Sequence, residues 1–385
     1  MIGVNSEGTA FSAAFEAAMS SIADFSGAFD MKLVALDGTP IDCTIMRAQL
    51  MLGAAANGSS GLPLGQVLSS SLTATLAECS ETLAGEELRV QVGIPVAGGA
   101  LEYATVARVV VTGARRTRGT VAVTAVGIVT AHMGVALGLD KGSYSASAVA
   151  SAVAAATGYP VYIGGFQSVD QTVHIDGDET CRQALASTAM RLGGFAAETY
   201  DGGVLIAPIP TSATWEPGAG AMTADPSVDE GDYELDGLTV TVPQPDDEEG
   251  EAVADVVYEY GTGRVQVTDE NATGPIAARI WANCGGRRWR PGTATFGVLD
   301  PRLTPFDMLE VAFDGETLDM PCWGIGATYD GGWFGTVTAG GLTEAAEGSD
   351  STGPTTKLAS SAAAAASAPL EEGAELNAFK VVAGG

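Results

Sequence analysis

The stretch Thr180-Cys181-Arg182-Gln183-Ala184-Leu185-Ala186-Ser187-Thr188-Ala189-Met190-Arg191-Leu192-Gly193-Gly194-Phe195-Ala196-Ala197-Glu198-Thr199-Tyr200-Asp201-Gly202-Gly203-Val204-Leu205-Ile206-Ala207-Pro208-Ile209 reads as a helix feeding a hairpin. Thr180 is an N-cap residue, and Gln183 stands three positions later, where a capping box places its partner. Leu185, Thr188, Ala189 and Leu192 recur at helical spacing on one face. Gly193-Gly194 supplies the positive φ that ends such a helix. Phe195–Thr199 and Val204–Ile209 then read as two strands around an Asp201-Gly202-Gly203 turn. None of these residues forms a recognisable catalytic group, and the unit lies between two longer β-rich segments.

Upstream, residues 1–30 read as an N-terminal arm with an amphipathic helix near Ala10–Ile22, of the kind that packs against a partner. Residues 31–139 carry six strand signals: Met31–Leu36, Ile41–Leu52, Val67–Leu76, Glu87–Gly93, Tyr103–Thr112 and Thr120–Val129. Arg115-Arg116-Thr117-Arg118-Gly119 reads as the last turn among them. Short turns between many strands predict an antiparallel barrel or sandwich. Residues 140–235 read as an α/β insert. It holds a helix capped by Ser145 or Ser147 and ending at Gly158, a strand Val161–Ile163, the helix–hairpin unit, and a Pro/Gly-rich connection over 210–235.

Downstream, residues 236–342 return to strands at Leu238–Val242, Val253–Tyr260, Arg264–Val267, Leu309–Phe313, Trp323–Tyr329 and Trp333–Ala339, with a helix at Ile276–Asn283. Asp246–Glu251 reads as a solvated acidic loop rather than a calcium site, and residues 343–385 as a low-complexity Ala/Ser/Gly/Glu tail. The expected fold is therefore mainly β with an α+β insert: two antiparallel β barrels separated by a small α/β module. A short internal repeat points the same way: Leu88-Arg89-Val90 and Gly119–Ala125 find echoes in Leu309-Glu310-Val311 and Gly335–Ala339.

The 385 residues carry a net charge of −29, with lysine only at 32, 141, 357 and 380. Such a balance opposes binding to nucleic acid or anionic membrane, which recruit Lys and Arg. It fits either an acidic source proteome or a surface that repels passing DNA. Two basic clusters break the background: Arg115, Arg116 and Arg118, then Arg287, Arg288 and Arg290. Each can pair with an acidic face of a neighbouring subunit or remain a set of solvated turn residues.

The five cysteines are scattered, with no C-x-x-C pair, so neither a disulfide framework nor a zinc site is signalled. Buried free thiols and folding in a reducing cytoplasm are expected. No signal peptide and no membrane span is read. Of the two histidines, His132 is expected just after a strand and His174 at a strand edge, neither beside a nucleophile in a known motif. Asp176-Gly177-Asp178-Glu179 lacks EF-hand spacing and reads as a turn before a helix. No catalytic, metal-binding or cofactor-binding residue is assigned, and no enzyme activity is expected.

Pro275-Ile276-Ala277-Ala278-Arg279-Ile280-Trp281-Ala282-Asn283-Cys284-Gly285-Gly286-Arg287-Arg288-Trp289, then Asp300-Pro301-Arg302-Leu303-Thr304-Pro305-Phe306-Asp307-Met308-Leu309-Glu310-Val311, then Tyr329–Ala339, resemble the phage baseplate hub and tail-tip family. That family includes prophage tail proteins and the late-control type. Asp300, Pro301 and Asp307 match its D-P-x-(L/I)-x-x-x-D turn, although Phe306 replaces the usual Gly. The resemblance spans roughly residues 30–342 and departs from many relatives at the end, where only a short tail follows.

It implies a non-enzymatic homotrimer of the virion tail, assembled in the host cytoplasm, whose two tube-like β barrels per chain make a pseudo-sixfold ring between tail tube and tip. It further implies contact with tube or distal tail protein, tip or fibre proteins and tape-measure protein. DNA would be passing cargo only, and the chain would not insert into membrane. Two other functions compete. A receptor- or glycan-binding tail protein would need Trp281, Trp289, Trp323 or Trp333 exposed as a platform. A tail-associated hydrolase would need a nucleophile or metal beside His132 or His174.

Overall fold

A computed structural model describes residues 10–20, 28–54, 62–166, 169, 171–218, 220–244, 253–262 and 265–339. The acidic run 246–251, the tail 343–385 and the outer parts of the N-terminal arm lie outside these residues. The first β region follows helix α1 (Ala13–Ser20) and contains β1 (Asp30–Ala35), β2 (Thr44–Ala54), β3 (Val67–Ala77), β4 (Glu87–Pro95), β5 (Leu101–Thr117) and β6 (Thr120–Gly127). All six expected strands are present. β5 runs on through Arg115, Arg116 and Thr117, which pair with Ala122, Val121 and Thr120, so the turn is confined to Arg118-Gly119. The charge run suggested a longer turn, but strand pairing on a solvent-facing hairpin accommodates arginine without burying it.

Helix α2 (Ile128–His132) follows directly, where the sequence predicted the strand to continue to Val129. The insert then adds β7 (Gly142–Ser145), α3 (Ala146–Thr157), β8 (Val161–Ile163), β9 (Thr172–Ile175), α4 (Cys181–Leu192), β10 (Gly194–Glu198) and β11 (Val204–Pro208). Ser145 caps α3 by accepting from the Ala148 amide at 3.2 Å. At α4 the capping box is complete: Thr180 Oγ1 accepts from Gln183 N at 3.3 Å, and Gln183 Oε1 accepts from Thr180 N at 2.8 Å. Leu185, Thr188, Ala189 and Leu192 are all fully buried.

The last region comprises β12 (Ser227–Val228), β13 (Tyr233–Glu234), β14 (Gly237–Val242), β15 (Val256–Gly261), β16 (Val265–Thr268), α5 (Gly274–Cys284), β17 (Arg288–Trp289), β18 (Gly292–Phe296), β19 (Met308–Phe313), β20 (Glu316–Pro321), β21 (Gly324–Tyr329) and β22 (Trp333–Ala339). The protein is mainly β with few helices.

Pairing joins the two β regions. One sheet runs β1-β4-β5-β6-β3-β2-β21-β22-β18-β12, with β10, β11 and β8 branching from β3. The seam is β2 against β21, antiparallel, from Ala48 opposite Tyr329 to Leu52 opposite Ile325. Two separate closed barrels, the sequence expectation, are not what this ladder forms among the described residues. The outer edge of β2 takes a strand from the far end of the chain, because Ala48, Leu50 and Leu52 on its buried face share a core with Ile325, Ala327 and Tyr329. The internal repeat is not matched in pairing either. β4 lies between β1 and β5, whereas among the described residues β19 pairs with β20 and bridges to Trp215.

Two cores result. The larger spans both β regions and includes Phe15, Leu72, Val90, Phe195, Trp289, Trp323 and Trp333. The smaller lies inside the insert, around Val149, Val153, Leu185, Leu192 and Ile206.

Candidate functional site

The first arginine cluster sits at the tip of the β5–β6 hairpin and the second around β17, which pairs with β13, and no hydrogen bond or ion pair joins them among the described residues. Arg115 and Arg118 are exposed and unpaired there. Arg116 folds back, donating Nη2 to the Glu81 carbonyl at 2.9 Å and Nη1 to the Cys79 carbonyl. The second cluster lies on and beside β17 and pairs within the chain, except that the buried Arg287 Nε has no hydrogen-bond partner among the described residues. Arg287 donates to the Asn283 carbonyl at 2.8 Å, Arg288 pairs with Glu234 at 2.8 Å, and Arg290 donates to Asp232 at 2.6 Å and to the Asp229 carbonyl at 3.1 Å. Burial lowers the Arg287 pKa below the usual guanidinium value.

The histidines divide. His132 closes α2 and stacks on Tyr159, 5.2 Å between centroids. His174 lies on β9 opposite Ser143 of β7, with Ser143 Oγ 3.4 Å from Nδ1 and Asp176 Oδ1 3.6 Å from Nε2. That Ser–His–Asp set, not read from the sequence, is the nearest approach to a hydrolytic group. Both separations exceed working hydrogen bonds. Ser143 and Asp176 are exposed, and Asp176 also pairs with Lys141 at 3.1 Å. The backbone amides of Asp176 and Gly177 donate to Glu179 at 2.8 and 3.1 Å, so the acidic tetrapeptide is a self-closed turn. No group of three or more His, Cys, Asp or Glu is placed to hold a metal among the described residues.

The tryptophans decide against a platform. Trp289, Trp323 and Trp333 are 2%, 2% and 1% exposed. Trp289 packs edge-on to Trp323 at 5.3 Å, and the half-buried Trp281 stacks on Tyr260 at 6.2 Å. A large aromatic residue in this position contributes to the core rather than to sugar stacking.

One polar site was not legible in the sequence. The Glu198 carboxylate, at the end of β10, accepts from Ser69 Oγ at 2.8 Å, Ser70 N at 3.0 Å and Val129 N at 2.8 Å. Gly127, which leads into α2, makes room: a Cβ there would lie 2.1 Å from Glu198 Oε2. Glu198 thus caps α2 from another part of the chain. Burial raises its pKa, only partly offset by those hydrogen bonds, and burial lowers that of the nearby Arg182.

No family model and no curated protein matches the sequence. Solved structures do match in shape. Prophage tail protein gp18 from Listeria monocytogenes aligns over 81% of this chain and 94% of its own, with 10% identity and a TM-score of 0.50. The 43 kDa tail protein of prophage MuSo2 from Shewanella oneidensis aligns over 82% and 98%, with 14% identity and a TM-score of 0.49. A tail protein from Neisseria meningitidis aligns over 81% and 96%, with 14% identity and a TM-score of 0.47.

The chain has the fold of a prophage tail protein.

Within that tail-protein fold, the best-formed depressions among the described residues are small. One, lined by Arg108, Glu198, Tyr200 and Thr304, encloses about 20 Å³, and one beside Trp215 and Asp300 is of like size. Each has room for roughly one water. Among the described residues, no helix is long and apolar enough to cross a membrane.

Proposed function

We propose that this chain is a structural component of a phage or prophage tail, acting as a baseplate hub or tail-tip subunit. The observation that carries the reading is the fold shared with the Listeria prophage tail protein across most of both chains. The core placement of Trp289, Trp323 and Trp333 supports it against a glycan-binding platform, and the loose, exposed Ser143–His174–Asp176 set gives no support to a hydrolase.

In its finer form, three copies form a ring, each contributing its two β regions as tube-like units. The ring then surrounds a channel and joins a sixfold tube to a threefold tip. Tape-measure protein and DNA pass through that channel, and a net charge of −29 disfavours adhesion of DNA to its wall. Tube or distal tail protein lies on one side and tip or fibre proteins on the other. Residues 31–139, 140–235 and 236–342 serve as the three building units, and the arginine clusters lie at subunit contacts.

Light scattering over a concentration series, with electron-microscope class averages, tests this. A species three times the 38.8 kDa chain, with ring-shaped averages, is expected. A strict monomer at every concentration, with no ring even beside tube protein, would overturn it.

A further inference from the structure

Cys43 and Cys79 are far apart in sequence, yet the β2–β3 ladder brings them together. Its outermost pair is Thr44 opposite Ala77, so Cys43 lies just before one strand and Cys79 just after the other. Between Ala77 and Cys79, Glu78 adopts a left-handed conformation with φ 56°. This turn keeps Cys79 beside Cys43, whose pKa it helps to raise, while the Cys79 thiol points to the Glu81 carbonyl at 3.9 Å.

Two further contacts fix the arrangement. The Asp42 amide donates to the Glu81 carboxylate at 3.1 Å, tying the two cysteine-bearing segments together. Arg116 holds the carbonyls of Cys79 and Glu81 from the neighbouring β5. The register runs on from Thr44 opposite Ala77 to Cys43 opposite Glu78, so Cys79 stands one residue beyond the facing position, with the left-handed Glu78 as the extra residue of a bulge; a disulfide spans Cα separations of about 4.4–6.8 Å. The other three cysteines, Cys181, Cys284 and Cys322, are fully buried. Cys43 is half-buried, so one sulfur of the pair is reachable from solvent.

We propose that Cys43 and Cys79 form a conditional disulfide, made by exchange with a small-molecule disulfide such as oxidised glutathione, that locks the open end of the β2–β3 ladder. The Cys43 thiolate attacks one sulfur of the small disulfide and expels its other half as a thiolate. The Cys79 thiolate then attacks Cys43 Sγ and expels the second half. Two protein thiols are oxidised, one small disulfide is reduced to two thiols, and the two protons released by the cysteines pass to the expelled thiolates.

The reaction is slow at neutral pH. Burial, then the neighbouring Cys79, Glu81 and Asp42, pushes the Cys43 thiol up to about 11. Only the thiolate attacks, so this pair is a latch that closes gradually rather than a fast sensor. β2 carries the seam to β21, and the latch therefore braces the strand on which the two β regions meet. The inference does not depend on the tail-protein reading.

The test uses the full chain, purified reduced and incubated with oxidised glutathione, followed by thiol titration in denaturant and non-reducing peptide mapping. Loss of two of the five thiols is expected, with a linked Cys43–Cys79 peptide and a raised melting temperature. The rate should rise roughly tenfold per pH unit between about 7 and 9, following thiolate fraction. Cys43→Ser and Cys79→Ser should each lack the link and the melting shift. The wild-type peptide map stands even if a variant folds poorly. Five titrating thiols, a persistent glutathione adduct on Cys43, or a link between any other pair would overturn the proposal.

Discussion

Gly193 and Ile280 touch backbone to backbone: a Cβ on Gly193 would lie 2.7 Å from the Ile280 carbonyl oxygen and 3.0 Å from Asn283 Cβ. The glycine ends α4 with φ 72° and is also the point where the insert meets α5 of the last region. Gly193→Ala meets both the left-handed backbone cost and a clash against a helix that cannot easily shift. A loss of about 2–4 kcal/mol is expected from the two effects together. Urea unfolding of the variant checks it, and a change below about 0.5 kcal/mol would mean that α5 yields freely at this point.

The same junction carries a shielded ion pair. Arg191 Nη2 donates to Asp269 Oδ1 at 2.5 Å, and its Nη1 donates to the Thr172 carbonyl at 2.7 Å. The two side chains are 6% and 13% exposed. Arg191→Ala leaves Asp269 enclosed without its cation and should cost about 3–5 kcal/mol. Arg191→Met with Asp269→Leu should recover much of that loss, as measured by chemical denaturation of both variants and the parent.

Glu198 makes stability depend on pH in an unusual direction for a carboxylate. Burial raises its folded-state pKa above the ordinary carboxylate value of about 4.5. Its contribution is therefore fully present below pH ~4.5 and is lost as pH rises through the higher folded value. Glu198→Gln should flatten this fall in stability across that window, as read from melting curves at a series of pH values. Glu198→Ala instead strands the Ser70 and Val129 amides and should cost about 2–4 kcal/mol at any pH.

Arg302 staples the N-terminal helix to the Asp300-Pro301 turn. It donates to both Glu16 oxygens at 2.7 Å and to Asp300 at 2.7 and 3.0 Å, and it stacks over Trp215 at 4.6 Å and Phe15 at 5.2 Å. Arg302→Lys keeps the charge and loses the fork. Release of α1, with new proteolytic cuts before Asp30, is the expected readout. Phe15→Ala, which empties a fully buried site, should cost about 3–5 kcal/mol and give the same cuts.

Arg115 and Arg118 provide a test of assembly separate from folding. Both are exposed and unpaired among the described residues, so Arg115→Glu with Arg118→Glu should change the stability of the single chain by less than about 0.5 kcal/mol. If the first basic cluster meets an acidic neighbour, the double variant lowers the mass seen by light scattering. Equal masses for the variant and the parent would place the contact elsewhere.

Local chemistry was readable and distant partnership was not. Thr180, Gln183 and Gly193 announce α4 because a capping box and a left-handed stop act within a few residues. Trp333–Ala339 shows its strand by alternation. Helix α2 is hidden, since its cap, Glu198, comes from another part of the chain, and Ile128 and Val129 alone read as more strand. β20 was readable in principle: Asp314-Gly315, with φ 50° and 83°, is the signature of a tight hairpin after Phe313. The seam between Leu50 and Ala327 left no local mark, because an apolar strand face does not name its partner. The same holds for the site. The arginine clusters stood out by charge, whereas the Cys43–Cys79 contact and the Ser143–His174–Asp176 set arise only from strand register.

The β2–β21 seam also sets a timetable for folding. During synthesis β2 emerges long before β21, and Leu52 must wait for Ile325 before its outer edge is paired. At ~5–20 residues per second, that wait lasts on the order of tens of seconds. Throughout it, a strand with Met46 52% and Met51 36% exposed even in the finished fold offers a free edge to other nascent chains. Closure over so long a loop makes the last sheet pairing slow. The growing chain is therefore most open to chaperone capture or mispairing in that interval, before a complete subunit exists.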